Sequence, residues 1–263
     1  MDSFQVYRDI KARTDGEIYL GVVGPVRTGK STFIKRFADL LILPNLTDVH
    51  KKERTKDELP QSASGTTIMT TEPKFVPKEA VNVRLAEDVE VKIRLVDCVG
   101  YMVEGASGHT ENGAERQVVT TDGSVTELAR ENYIPAEEKT VRELQEIGKP
   151  FLIILNCQKP YAEEAKSLKE ELQEKYQAPV IAMNCEQMKA EDLHEMMQQI
   201  LYEFPVTEVE FYLPKWVEML SRDHRIKQNL LENVKTVLDA LGDIRSAVNL
   251  KIQPQGEYID RMQ

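Results

Sequence analysis

Apolar residues fall along this chain in two alternating rhythms, short continuous runs and a three-to-four spacing, and the alternation predicts most of its elements. The run Ile18-Tyr19-Leu20-Gly21-Val22-Val23 has the length of a buried strand. It gives way to a Gly-rich turn, after which Phe33, Ile34, Phe37, Leu40 and Leu41 recur on one helix face. From Leu43 to Gly65 the rhythm stops, the residues turn polar and charged, and a mobile loop is expected. Val81-Asn82-Val83-Arg84-Leu85 and the alternating Val89, Val91, Ile93 and Leu95 then flank the acidic turn Ala86-Glu87-Asp88. That pattern predicts an antiparallel hairpin whose second strand ends at Asp97.

Beyond it the spacing predicts a helix from Pro135 (Val141, Leu144, Ile147), a strand Pro150–Asn156 and a helix through Ala165, Leu168 and Leu172. A strand Pro179–Asn184 and a helix through Leu193, Met197, Ile200 and Leu201 follow. Strands alternating with helices imply a mainly parallel sheet covered by helices, an α/β fold. One stretch breaks the pattern. A parallel connection after Asp97 needs on the order of a dozen residues, usually helical, yet Gly100–Gln117 is polar and Gly-rich, and only Val118-Val119 remains of a following strand. Either the sheet is locally irregular there or residues that the crossover needs are missing from the chain. After Pro214 the apolar positions Trp216, Val217 and Leu220, then Leu230, Leu231, Val234, Leu238 and Leu241, predict one long or two short helices before Val248–Ile252. Residues 1–213 are accordingly expected to form one domain and 214–263 a helical C-terminal extension that begins another.

The 263 residues carry 34 Lys+Arg against 44 Asp+Glu, a net charge of −10. Nucleic acid is therefore not an expected partner, because backbone binding needs clustered cations to displace counterions. No apolar run approaches the ~18 residues of a membrane span, and Met1-Asp2-Ser3-Phe4 does not resemble a leader, so a cytoplasmic protein is expected. Cys98, Cys157 and Cys185 lie in or beside apolar runs without metal spacing and are expected to be small core residues. The four histidines show no ligand spacing.

Chemistry concentrates in Gly24-Pro25-Val26-Arg27-Thr28-Gly29-Lys30-Ser31, which fits G-x-x-x-x-G-K-[ST] between a buried strand and a helix start. Glycines there let backbone N–H groups close on phosphate oxygens, Lys30 is expected to reach the β/γ-phosphates, and the Ser31 hydroxyl to ligate Mg²⁺. Asp97 ends an apolar strand, where a carboxylate can hold Mg²⁺ through water, and Gly100 completes D-x-x-G, with an N–H for a γ-phosphate. Between the two motifs, Gly65–Pro73 occupies the place of a first switch loop, and its Thr66, Thr67, Thr70 and Thr71 are not separable by spacing. The expected nucleotide contacts are Gly24, Arg27, Thr28, Gly29, Lys30, Ser31, Thr32, Gly100 and Asn156. Arg27 is either an added cation or a solvated side chain.

Small GTPases read guanine with N-K-x-D after a late strand; here the position holds Asn156-Cys157-Gln158-Lys159. A lysine accepts no hydrogen bond, so adenine or weak base discrimination is expected. Where many GTPases place a water-orienting Gln after D-x-x-G, this chain has Tyr101 and Met102, so slow hydrolysis is expected.

Long segments carry a more specific signal than the P-loop. Ile18–Lys35, Asp57–Ala63, Thr67–Pro77, Ile93–Tyr101, Thr120-Thr121-Asp122-Gly123 and Tyr202-Glu203-Phe204-Pro205-Val206 resemble the stage IV sporulation protein A family, the coat-morphogenetic ATPases of endospore-forming bacteria. The resemblance implies a P-loop NTPase of the GTPase-like (TRAFAC) type that uses ATP and Mg²⁺, with hydrolysis driving self-assembly into a spore-coat layer around the forespore. It implies Lys30, Thr70, Thr71 and Asp97 as catalytic residues and Ser31, Thr70 and Asp97 at the metal. Its implied partners are further copies of itself, a second coat-morphogenetic protein and a small amphipathic membrane-bound peptide. The implied location is the mother-cell side of the outer forespore membrane. The family carries a longer segment after Glu111-Asn112-Gly113, where the crossover is missing here, and a middle and C-terminal region that this chain largely lacks. Competing readings are a nucleotide-binding scaffold without turnover and a regulatory GTPase.

Overall fold

Continuous apolar runs become strands here because neighbours bury them. Val22 and Val23 are consecutive and both sequestered, as are all four residues of Ile153–Asn156. The computed structural model describes residues 17–60, 74–86, 89–98, 116–125, 129–148, 150–206 and 208–251. The chain divides into two compact units, residues 2–200 and 201–263.

The first unit holds a six-stranded sheet of β1 (Glu17–Val23), β2 (Lys74–Ala86), β3 (Val89–Asp97), β4 (Arg116–Thr121), β5 (Ile153–Asn156) and β6 (Val180–Met183). Its order is β2-β3-β1-β4-β5-β6. β2 runs antiparallel to β3, the expected hairpin, and every other pairing is parallel. Successive strands leave β1 in opposite directions across the sheet, so the carboxyl end of β1 lies at the switch point where α/β folds bind ligands. Helix α1 (Lys30–Phe37) follows β1 and buries Phe33, Ile34 and Phe37 completely. Each such side chain contributes about 1.5–3 kcal/mol. Helices α3 (Ile134–Ile147) and α4 (Glu163–Tyr176) set Val141, Leu144 and Leu172 into one core cluster with Val23, Val96, Ile153, Leu155 and Val180 of the sheet. Helix α5 (Ala190–Tyr202) buries Leu193, Met196, Met197 and Ile200.

Three elements depart from the expected pattern. Residues 49–58, expected as loop, form helix α2 (Val49–Glu58), whose only buried side chain is Thr55. Capping and cross-links hold it instead of an apolar stripe. Asp48 Oδ1 accepts from His50 N at 2.9 Å, Arg54 pairs with Glu58 at 3.1 Å, and Lys51 pairs with Glu79 of β2 at 3.1 Å. β2 begins at Lys74 rather than Val81, because a bulge between Val76 and Val81 interrupts the alternation that signals a strand. β4 is a full strand where only Val118-Val119 was legible. Its Thr120 and Thr121 are buried with their hydroxyls satisfied, so the strand continues through residues that look like a turn.

The second unit carries α6 (Lys215–Glu218), α7 (Arg225–Ala240) and α8 (Ile244–Asn249). A capping box, with the Asp243 carboxylate and Ser246 bonding reciprocally, starts α8. Ile244 N donates to Phe204 O at 2.9 Å, and Arg245 pairs with Glu203 at 2.7 Å. Among the described residues no helix is long and apolar enough to cross a membrane.

Candidate nucleotide site

The loop between β1 and α1 takes its shape from two contacts that exclude a side chain. A Cβ on Gly24 would stand 2.2 Å from the Val119 carbonyl oxygen of β4, and one on Gly29 would stand 2.2 Å from Asn156 Nδ2. Both glycines have positive φ, 141° and 96°, and Arg27 between them, its side chain exposed, adopts φ 64°. A backbone that changes handedness over so few residues turns its N–H groups inward, a concavity suited to anions. Phe33 N donates to Gly29 O at 2.9 Å, so the helix begins directly from this loop and its N-terminal partial charge faces the same space.

Lys30 folds back over the loop. Its buried ammonium donates to Gly24 O at 3.1 Å and Pro25 O at 2.7 Å. Burial pushes its pKa down to about 8, with the attraction of Asp97 and then Cys98 acting in the other direction. Thr28, also buried, donates its hydroxyl to Pro25 O at 3.0 Å. Asn156 braces the loop from β5. Its Nδ2 donates to Thr28 O at 2.9 Å, and its Oδ1 accepts from Cys185 N, beyond β6, at 3.1 Å. Asp97 ends β3 in register with Val22 of β1 and is 5% exposed. Among the described residues no hydrogen bond or ion pair engages its carboxylate. Desolvation raises its pKa against the opposing pull of Lys30 and Lys74. A buried carboxylate that no described residue engages suits a cation, and a buried ammonium beside a Gly-rich cradle suits a polyphosphate. Ser31 and Thr32, half-buried, occupy the first turn of α1.

The chain matches the family model described as "Stage IV sporulation protein A, ATPase domain" over residues 1–120 and 117–205. A second model, "Stage IV sporulation protein A, middle domain", matches residues 206–263. This chain belongs to the stage IV sporulation protein A family. It is 46% identical to the stage IV sporulation protein A of Clostridioides difficile (strain 630), a match that covers 91% of this chain and 55% of that one. It is 42% identical to those of Bacillus anthracis and Bacillus subtilis (strain 168), covering 99% and 93% of this chain and 60% and 56% of theirs. The chain thus spans little more than half the length of these relatives. The two stretches of the ATPase-domain match meet at residues 117–120, directly after the Gly-rich stretch Gly100–Gln117.

Of the residues expected at the site, Gly24, Arg27, Thr28, Gly29, Lys30, Ser31, Thr32, Asp97 and Asn156 gather at the carboxyl ends of β1, β3 and β5. Thr66, Thr67, Thr70, Thr71, Gly100, Tyr101 and Met102 lie outside the described residues. Cys98, Cys157 and Cys185 are buried and outside any disulfide, as expected of core residues. A buried polar network behind β4 was not anticipated. The Thr120 hydroxyl donates to Glu137, Arg130 grips the Glu137 carboxylate at 2.6 and 2.8 Å, and Tyr176 OH donates to it at 2.8 Å. One signal was present: Glu137 stands four residues before Val141 and seven before Leu144, a charge on a face otherwise written for the core.

Proposed function

We propose that this chain is a Mg²⁺-dependent ATPase of the GTPase-like (TRAFAC) P-loop type, whose hydrolysis serves self-assembly of the basal layer of the spore coat. The observation that carries this reading is that buried Lys30, folded on the loop between Gly24 and Gly29, shares the carboxyl end of adjoining strands with the buried Asp97, whose carboxylate no described residue engages by hydrogen bond or ion pair. Direct pairing of β1 with β3, and an antiparallel β2 at the sheet edge, support the GTPase-related type.

Backbone N–H groups of the loop and the α1 N-terminus hold the β- and γ-phosphates. Lys30 exchanges its two carbonyl partners for phosphate oxygens and stabilises charge on the transferring group. Ser31, Asp97 and Thr70 would hold Mg²⁺. Bound Mg²⁺ supplies neutralisation of phosphate charge. Thr70 and Thr71 sense the γ-phosphate. With Tyr101 in place of a water-orienting Gln, water is placed by these threonines, by backbone or by a neighbouring subunit, and turnover is slow. Lys159, where a guanine-binding carboxylate would stand, favours ATP. Proposed partners are further copies of the chain, a second coat-morphogenetic protein and a small amphipathic membrane-bound peptide, at the mother-cell side of the forespore outer membrane.

The test is phosphate release from ATP and GTP in parallel, with and without Mg²⁺. Expected is release from ATP with Mg²⁺ that Lys30→Ala abolishes, and that Thr70→Ala with Thr71→Ala reduces more than it reduces nucleotide binding. Preferential release from GTP would return the chain to the regulatory GTPases. The missing Gln favours one second reading, a nucleotide-gated scaffold, which tight ATP binding without release would establish.

A further inference from the structure

β4 stands between the two strands that shape the phosphate loop, β1, from which the loop departs, and β5, whose Asn156 holds Thr28 O. Its ladder with β1 runs from Gly21 and Arg116 to Val23 and Val118 and stops one residue short of Gly24. Beyond that point Gly24 meets β4 backbone to backbone: the carbonyl oxygen of Val119 stands 2.2 Å, and its carbon and nitrogen 3.1 Å, from the place a Cβ would take. Gly24 in turn supplies an acceptor to Lys30, whose ammonium donates to Gly24 O at 3.1 Å.

Thr120, the next residue of β4, is fully buried, and its hydroxyl is engaged in both of its roles. It donates to the Glu137 carboxylate of α3 and accepts from Arg130 Nη1 at 3.2 Å. Glu137 is itself fixed, because Arg130 holds both its oxygens, at 2.6 and 2.8 Å, and Tyr176 OH of α4 donates to it at 2.8 Å. A charge-assisted hydrogen bond in a site without competing water resists sliding of the strand that carries it. A valine would fill the same volume with no buried charge to accommodate, so packing alone does not call for this network.

We propose that Thr120 and Glu137 are positioning residues of the nucleotide site: they hold Val119 against Gly24 and so keep the loop in the form that receives a triphosphate. The line of contact is continuous, from Glu137 to Thr120 by hydrogen bond, to Val119 along the chain, to Gly24 by backbone contact and to Lys30 by hydrogen bond. Without the Thr120 hydroxyl, β4 leaves room behind Gly24 and the ligand must order the loop itself, which costs affinity. Phosphates are gripped before as well as during transfer, so the loss falls on KM and spares kcat. This proposal rests on the nucleotide reading above and goes further by assigning to it residues outside the loop.

The test is steady-state phosphate release from ATP with Mg²⁺, beside binding of inorganic tripolyphosphate, in substituted full chains. Thr120 is chosen over Glu137 because loss of that charge strands Arg130. Thr120→Val is expected to raise KM for ATP about fivefold and weaken tripolyphosphate by the same factor, with kcat within about twofold of the parent. Thr120→Ser, which returns the hydroxyl, is expected to restore both. Tyr176→Phe removes a donor from the same carboxylate but leaves Thr120 bonded, and is expected to keep the parental KM and tripolyphosphate affinity. Parental values in Thr120→Val, or an equal loss in Tyr176→Phe, would overturn the positioning role, the second by showing general loosening of the fold. Lys30→Ala separates the two levels. Loss of tripolyphosphate binding there, with Thr120→Val unaffected, removes only the positioning role, whereas retained binding removes the phosphate-loop reading itself.

Discussion

Lys30 is held between two opposing environments, and the balance sets a proton inventory for nucleotide binding. Burial moves its pKa from the ordinary 10.5 to about 8, so without ligand the ammonium loses its charge as pH rises through about 8. Phosphate oxygens favour the charged form, so binding above that pH must take up a proton, and binding well below it takes up none at this residue. Calorimetry of ATP binding in buffers of different ionisation enthalpy is expected to show that uptake, and Lys30→Arg to abolish it, since a guanidinium stays charged throughout. The same shift enters stability. Between about 8 and 10.5 the unfolded chain binds more protons at Lys30 than the folded one, so this residue's unfavourable contribution is complete below 8 and relieved as pH rises.

Asp97 is the acidic counterpart. Its raised pKa means that protonation favours the fold; that contribution is full below the ordinary carboxylate value and lost as pH rises through the folded one. Above the raised pKa the ionised carboxylate therefore burdens the fold, and Asp97→Asn is expected to abolish phosphate release while leaving the apo Tm unchanged or higher. A Tm several degrees lower would mean that the carboxylate supports the fold through a partner. Both residues were legible from motif spacing. The return of Lys30 to Gly24 O and Pro25 O was not, because a spacing rule carries no information about burial.

Among the elements, β4 carries the most long-range information. Its Val119 carbonyl abuts Gly24, while the next residue, Thr120, reaches the Glu137 carboxylate of α3. Four donors converge on that fully buried carboxylate, from Thr120, both terminal nitrogens of Arg130, and Tyr176, whose phenol is pushed up by burial and by Glu137. Removing the charge strands Arg130, which is 16% exposed, without its counter-ion. Glu137→Gln is expected to destabilise the fold by about 3–5 kcal/mol and Tyr176→Phe by about 1 kcal/mol, measured by urea unfolding. A Gln variant within about 1 kcal/mol of the parent would mean that Arg130 escapes to water. The strand was half hidden in the sequence because a buried threonine with a carboxylate partner looks, in isolation, like a turn residue. Helix α2 was hidden for a related reason: its supports are the Asp48 cap and partners on β2 distant in sequence, where periodicity finds nothing.

At the scale of the whole molecule, the alternation of strand and helix from Ile18 to Ile200 was legible because parallel strands buried on both faces leave continuous apolar runs, and amphipathic helices leave periodic ones. The hairpin was legible from its short acidic turn. The position of β1 between β3 and β4, which brings Asp97 and Val119 to the two sides of one glycine loop, is a property of pairing and has no local signature. The clasp of Ser124 on Gln158 is equally non-local, joining residues from different strand ends: Gln158 N donates to Ser124 Oγ and Gln158 Nε2 to Ser124 O. The second unit has a feature of a different kind. The chain has one tryptophan, Trp216, which stands 55% exposed in the unit of residues 201–263, while every described residue of the phosphate loop belongs to the other. All tryptophan emission therefore originates in the unit without a P-loop. A change in that emission on adding ATP is an optical record of communication between the two units, with no fluorophore to be engineered in.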